Sequence, residues 1–300
     1  MTRARPSNTG IVEIPGTGRI RVTEVRRLTI AESSALELLA EAPRRTGLCC
    51  DFDGTVAPIV TDPDTARPLP GALEALHELS RELAVVAAVS GRSAAFLAER
   101  LELASRPSPL RAIGLHGLEE WRPDGTVELR PGVSQWRPAI EAAYHELERA
   151  VPEGVKVEDK GYGVTVHWRS LAASGPELES IAARATAVVL RVGAERGLVP
   201  RSGKASVELA LPLGIDKGTV VSEVCAGLDT AAFLGDDSGD VLAFLALDRL
   251  REGSGMRTLK IAVGSAEAPR ELIEEADLVL EGPAAASGFL EALASRAGRD

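Results

Sequence analysis

The chain has 300 residues, 45% hydrophobic and 26% charged, which are values of a folding globular protein large enough for a core plus a smaller module. A net charge of −10 argues against non-specific nucleic-acid binding, which needs a basic face, and it requires any phosphate site to be locally basic or to hold a cation. No stretch approaches the roughly 18 continuous apolar residues of a membrane span, and "MTRARPSNTG" leads into no secretory apolar run, so a cytoplasmic protein is the expectation.

Residues 1–45 are polar and Arg-rich, and read as an N-terminal extension. Its first ten residues are expected to be disordered, and "TIAESSALELLAEA" predicts one helix capped by Thr29 or Ser33. From Gly47 strand and helix alternate. Leu48–Cys50, "AVVAAV" and "LRAIGLHG" are apolar runs too short for free helices, separated by helical spacing in "LPGALEALHELSREL" and "SAAFLAERLEL". The pattern resumes after residue 211 with the helix "DKGTVVSEVCAGL", the strand "AAFLGDD" and the helix "SGDVLAFLALDRL". The strands "LKIAVGS" and "ADLVLEG" and a last helix follow. Such alternation predicts an α/β fold, a doubly wound parallel sheet of Rossmann-like type formed by residues 46–130 and 212–300. Residues 131–211 instead read helix–strand–strand twice, an inserted α+β cap domain with an antiparallel sheet. Cys49, Cys50 and Cys225 have neither bridge nor metal spacing and are expected to pack as small hydrophobes.

In such a sheet, ligands bind beyond the carboxyl ends of the strands, where Asp51/Asp53, Ser90, His116 and Asp236/Asp237 would meet. Gathered carboxylates repel one another unless a cation is present, and a hard divalent ion such as Mg2+ suits oxygen ligands. Lys217 at a helix start, with Ser90 and Gly91, offers donors for a phosphate. A carboxylate can attack phosphorus while a second one two positions on moves protons.

"DFDGTVAP", "VSGRS", "DKG" and "GDDSGD" resemble, in order, the four motifs of the haloacid dehalogenase superfamily. The resemblance implies Asp51 as nucleophile, Asp53 as general acid/base, and Ser90, Gly91 and Lys217 as phosphate-binding groups. It further implies Mg2+ held by Asp51, the carbonyl of Asp53 and Asp236, with Asp237 and Asp240 in support. An acid at Asp53 implies a phosphatase. "GLHG", "KGYGVTVHWR" and "GKASVELALP" further resemble trehalose-6-phosphate phosphatases, from Gly47 to the C-terminal region. By position this makes Lys160, His167, Lys204 and Glu208, and more weakly Arg92, His116 and Arg169, candidate sugar contacts.

Plainer readings stay open. Lys160 and Lys204 could be surface charges at turns, His167 an outward-facing strand residue, and Trp121, Trp136 and Trp168 packing groups. The family's Arg-Pro after its Glu-Val is replaced here by Ala210 and Leu211, and Val241 and Leu242 follow Asp240 where further acids are usual. Sucrose phosphate, glucosyl-glycerate phosphate or an aminocyclitol pseudo-disaccharide phosphate therefore stand as alternative esters, and a non-catalytic sugar-phosphate sensor as an alternative of another class. The partner expected is a small sugar phosphate and not a nucleic acid or membrane. A monomer is the simpler state.

Overall fold

In the computed structural model, residues 11–12, 20–21, 29–169, 171, 173–203, 205–265 and 268–298 are described. The first ten residues, expected to be disordered, and Lys204 lie outside them. Strands β1 (Ile11–Val12) and β2 (Ile20–Arg21) pair antiparallel, and α1 (Ile30–Ala40) follows. Thr29 caps α1 through a capping box: its hydroxyl accepts from the Glu32 N–H, and Glu32 Oε2 accepts from Thr29 N at 2.7 Å. Strands β3 (Thr46–Cys50), β4 (Val85–Val89) and β5 (Arg111–Gly114) alternate with α2 (Pro70–Glu82) and α3 (Ala94–Arg100).

A hairpin of β6 (Glu119–Trp121) and β7 (Val127–Leu129) comes next. Then follow α4 (Arg137–Ala150), β8 (Lys156–Asp159), β9 (Val164–His167), α5 (Gly175–Arg196), β10 (Val199–Gly203) and β11 (Ser206–Ala210). The chain closes with α6 (Lys217–Val224), β12 (Thr230–Gly235), α7 (Val241–Ser254), β13 (Arg257–Gly264), α8 (Arg270–Glu275), β14 (Leu278–Glu281) and α9 (Gly282–Ala297).

The main sheet has the order β14-β13-β12-β3-β4-β5-β6-β7. It is parallel from β14 to β5, and the β6–β7 hairpin adds two antiparallel strands at the β5 side. From β3 the chain winds outward through β4 and β5, while β12, adjacent to β3 on its other side, begins the winding toward β14. The crevice between β3 and β12 is therefore the switch point where such sheets bind ligands. Alternation along β3 splits the core: Leu48 and Cys50 join Leu36, Leu76, Leu79 and Phe289 on one side, while Cys49 joins Val221, Phe233, Phe244 and Leu247 on the other. Burial, first of all, pushes the Cys50 thiol up to about 12, so it packs as a neutral group.

The residues between β7 and α6 build a second sheet, ordered β10-β11-β9-β8 and antiparallel throughout. Val164, Val166, Val207 and Leu209 share a buried cluster with Ile140, Ala143, Val189 and Val192 from α4 and α5. The opposite face carries the row Arg201, Glu208, Thr165 and Glu158, paired residue to residue across the four strands. Among the described residues, no helix is long and apolar enough to cross a membrane.

Three elements escape the sequence reading. The β6–β7 hairpin is short and charged, with Arg122–Glu128 and Arg111–Glu120 ion pairs in place of apolar alternation. The ladder of β1 and β2 has two residues per strand, and α8 only six residues.

Phe289 on α9 is fully buried in the cluster that seats α1, α2 and α9 on the sheet. Phe289→Ala is expected to cost about 3–5 kcal/mol, seen as a lower urea midpoint at unchanged m-value.

Candidate active site

Thr46–Cys50 is β-prone and buried on both faces, so the chain leaves the sheet at Asp51 with no freedom to wander. The Asp51 amide still donates to Leu234 O of β12, 2.8 Å away, which ties the tip of β3 to the strand beside it. The next residues fold into a tight turn in which the amides of Val56 and Ala57 both donate to Phe52 O. At Gly54 the chain is left-handed (φ +79°), and a Cβ would lie 2.1 Å from Asp236 Oδ2. Only glycine lets this turn approach the β12 loop so closely. Thr55 then donates its hydroxyl to Asp236 Oδ1 at 3.1 Å.

Lys217 opens α6 behind the N-cap Asp216, whose carboxylate accepts from Thr219 N at 2.8 Å. Its side chain is 2% exposed, and Nζ lies 2.6 Å from Asp240 Oδ1, 3.0 Å from Asp51 Oδ1 and 3.9 Å from Asp237 Oδ1. Burial alone would lower the Lys217 pKa, but Asp240 and Asp51 outweigh it and hold the ammonium well above its ordinary value. One ammonium cannot neutralise four carboxylates. Burial first, then repulsion from Asp240 and Asp237, pushes Asp236 up to about 7, and burial pushes Asp51 up against the opposing pull of Lys217.

Asp240 is fully buried and spends both oxygens inside the protein. Oδ1 accepts from Lys217, and Oδ2 accepts the amides of Asp236 and Asp237 at 2.8 and 3.0 Å. Asp240 thus shapes the loop that presents Asp236 and Asp237. Asp51, Asp237 and Asp240 can bring one oxygen each within 4.8 Å of one another, a cluster able to hold a cation. Asp51 Oδ1, although close to Lys217, is buried and accepts no well-aligned hydrogen bond.

Asp53 sits apart from this cluster. Arg92 grips its carboxylate with both arms of the guanidinium, Nε to Oδ2 at 2.7 Å and Nη2 to Oδ1 at 3.0 Å. Arg92, expected to touch sugar, is therefore engaged with Asp53. Ser90 is buried at the end of β4, and its Oγ accepts the Arg92 amide at 3.3 Å. The loop from Ser90 to Arg92 is stitched to the next one: His116 N donates to Ser90 O and Leu115 N to Arg92 O.

Leu115 and His116 both take left-handed backbone (φ 49° and 57°), a conformation that costs a non-glycine residue about 1–3 kcal/mol. The strain lays the His116 ring over Gly91, where a Cβ would meet Nε2 at 2.8 Å. His116 Nε2 in turn lies 3.9 Å from Glu208 Oε2 of the second sheet, too far for a hydrogen bond but close enough for charge to matter.

On that sheet, Lys160 Nζ is 3.7 Å from Glu208 Oε2, and His167 Nε2 shares a 2.8 Å hydrogen bond with Glu158 Oε2. His167 is thus half-buried and partnered, on the face of β9 opposite the buried Val164 and Val166. Arg169 is exposed beyond the end of β9. Glu158 and Thr165 were not foreseen, although the period-two alternation that sets Lys160 and His167 on one face sets these two beside them. Thr165 Oγ1 is buried without a hydrogen-bond partner among the described residues, between Glu208 and Glu158 in the pairing register. Arg201 opposes Glu208 and donates to Ile215 O at 2.7 Å. Burial would raise Glu208, yet the His116 imidazole, the Lys160 ammonium and Arg201 carry it down to about 2.

A family model described as trehalose-phosphatase matches residues 49–276. The trehalose-phosphate phosphatase of Mycobacterium leprae is 34% identical over 168 residues, which are 55% of this chain and 37% of that protein. The chain thus spans well under half the length of this curated relative. The C-terminal domain of the Candida albicans trehalose-6-phosphate phosphatase superposes with a TM-score of 0.68 at 22% identity, over 87% of this chain and 96% of that one. A haloacid dehalogenase-like hydrolase from Bacteroides thetaiotaomicron superposes with a TM-score of 0.51 at 14% identity, over 82% and 98%. Both likenesses show a shared fold.

Because the folded Glu208 carboxyl titrates at about 2 against an ordinary 4.5, its stabilising effect is complete above pH 4.5 and is lost as pH falls toward 2. Urea unfolding of the parent and Glu208→Gln should differ at pH 7, and the difference should shrink steadily below pH 4.5. A difference independent of pH would refute the ion-pair origin.

Proposed function

Because the chain belongs to the trehalose-phosphatase family, we propose that it is a Mg2+-dependent phosphatase that converts trehalose 6-phosphate to trehalose and phosphate through an aspartyl-phosphate on Asp51. The observation that carries this reading is the convergence of Asp51, Lys217 and the Asp236–Asp240 loop at the β3/β12 switch point, with Asp53 delivered by the same turn. The donor set suits a hard divalent ion. It is all oxygen, Asp51 Oδ1 is buried and poorly bonded, and Asp236 carries uncompensated repulsion. Asp51, the Asp53 carbonyl and Asp236 would hold Mg2+, with Asp237 beside them and Asp240 fixing their loop. When bound, the ion offsets the crowding of the carboxylates and polarises the phosphoryl oxygens.

In the first step an Asp51 oxygen attacks phosphorus as the bond to the sugar oxygen breaks, and Asp53 gives its proton to that oxygen. In the second step Asp53, now a carboxylate, takes a proton from water. The water oxygen attacks phosphorus, phosphate leaves, and Asp51 is restored. The Lys217 ammonium and the Ser90 hydroxyl, with the Gly91 amide, hold the phosphoryl oxygens through both steps.

Residues 131–211 act as the cap over this centre. Glu158, Lys160, His167 and Glu208 lie on one face of its sheet, a set of alternating charges suited to sugar hydroxyls. Lys204, Arg169 and His116 are assigned to the same work. A second reading changes only the ester. Ala210 and Leu211 stand where the family's Arg-Pro is usual, and this departure beside Glu208 is what favours another disaccharide phosphate.

Asp51→Asn is expected to lower phosphate release from trehalose 6-phosphate by about 10^3-fold or more while far-UV circular dichroism stays unchanged. Activity near the parent's would show that another group is the nucleophile. Chelation should abolish turnover and added Mg2+ should restore it; full activity after chelation would contradict the metal assignment. Glu208→Gln should lower kcat/KM for trehalose 6-phosphate about 10–100-fold and that for a small aryl phosphate hardly at all, whereas equal losses would remove the cap's recognition role.

A further inference from the structure

Phe96 stands on the third residue of α3, where its amide donates to the N-cap hydroxyl of Ser93 at 3.2 Å. The preceding turn is held a second time, because the Ala94 amide donates to Glu119 Oε1 at 2.7 Å. The first turn of α3 is thus fixed by side chains from two elements. The Phe96 ring makes three contacts of defined geometry. Its edge meets Phe52 at 5.8 Å between centroids and 86° between planes. The guanidinium carbons of Arg92 and Arg100 lie over it, 4.8 and 4.7 Å from its centroid. Arg100 is anchored in turn, with Nη2 donating to Asp64 O at 2.7 Å.

These contacts lead to the reacting groups. Phe52 is fully buried and lies in the chain between Asp51 and Asp53. Arg92 holds both oxygens of Asp53, whose side chain is 33% exposed and would otherwise have room to rotate. A guanidinium held over an aromatic face has fewer orientations, so the ring limits where the fork on Asp53 can point.

We infer that Phe96 is a positioning residue for the Asp53 carboxylate, acting through the Arg92 guanidinium stacked on its ring. Phe96 acts through Arg92, and it contributes an aromatic face rather than volume. The consequence depends on the leaving group. A sugar alkoxide needs the proton that Asp53 delivers, whereas an aryl oxide departs without one. This catalytic consequence rests on the function proposed above; the positioning itself does not.

The test compares Phe96→Leu, which keeps apolar bulk, with Phe96→Tyr, which keeps the aromatic face. The value of kcat/KM reports the steps through formation of the phosphoenzyme, measured with trehalose 6-phosphate and p-nitrophenyl phosphate. Phe96→Leu should lose about 10-fold on the sugar ester and less than about twofold on the aryl ester. Phe96→Tyr should stay within about twofold of the parent on both. Equal losses on the two esters, no loss at all, or failure of Tyr to restore the sugar activity would overturn the inference.

A second arm reads the clamp without any substrate, through the Arg92 Nε–H resonance in 1H–15N spectra, assigned by its disappearance in Arg92→Lys. It should be sharp and slowly exchanging in the parent and in Phe96→Tyr, and broadened away in Phe96→Leu. A parent inactive on every sugar phosphate would refute the proposed function alone, and this resonance would then decide the positioning. Its persistence unchanged in Phe96→Leu would overturn the inference.

Discussion

An ammonium buried to 2% exposure between Asp51 and Asp240 is the contact on which the rest of the site depends. Removing either carboxylate would leave a desolvated charge poorly paired, a cost of several kcal/mol. That demand explains otherwise unrelated features of the chain. The β3 tip must run flush to Asp51, the β12 loop must curl so that Asp240 also captures two amides, and α6 must begin at Lys217 with its cap made by Asp216. Burying the trio is tolerable because Asp240 finds donors for both of its oxygens, which leaves Asp51 Oδ1 as the buried oxygen without a well-aligned hydrogen bond.

The sheet supplies the geometry that side chains alone could not. Adjacent parallel strands wound in opposite directions leave a crevice at β3/β12, and the loops after these strands deliver acids from positions nearly two hundred residues apart in the chain. Gly54 allows the two loops to touch, and the strained pair Leu115–His116 brings an imidazole from β5 back over Gly91 toward the second sheet. Strain and close approach both gather here, while the two buried clusters behind the sheet carry the stability that tolerates them.

Much of this was legible in the sequence, for definite physical reasons. Short apolar runs ending in Asp51, Ser90 and Asp236 mark buried parallel strands and the side of the sheet where their tips lie. The helix–strand–strand order gave the second sheet, and the resemblance in "KGYGVTVHWR" pointed to Lys160 and His167 on it. What could not be read is set by side-chain direction and by charge. Nothing in "SGRSAAF" says that Arg92 forks onto Asp53 with its guanidinium over an aromatic ring four residues on, because side-chain direction is not written in spacing. No glycine or proline announces the left-handed turn at Leu115 and His116. Asp240 looked like one more acid, and only its two captured amides reveal that it organises the loop.

The central claim is that Asp51, oriented by Lys217, forms a covalent bond to phosphorus. The most direct measurement is rapid acid quenching of the enzyme during turnover of a labelled phosphate ester, followed by peptide mapping of the label. The account expects a hydroxylamine-labile phosphoryl group on the peptide that contains Asp51, present in the parent and missing from Asp51→Asn. Label on any other side chain, or burst-free turnover with no labelled peptide under conditions that trap acyl phosphates, would contradict it.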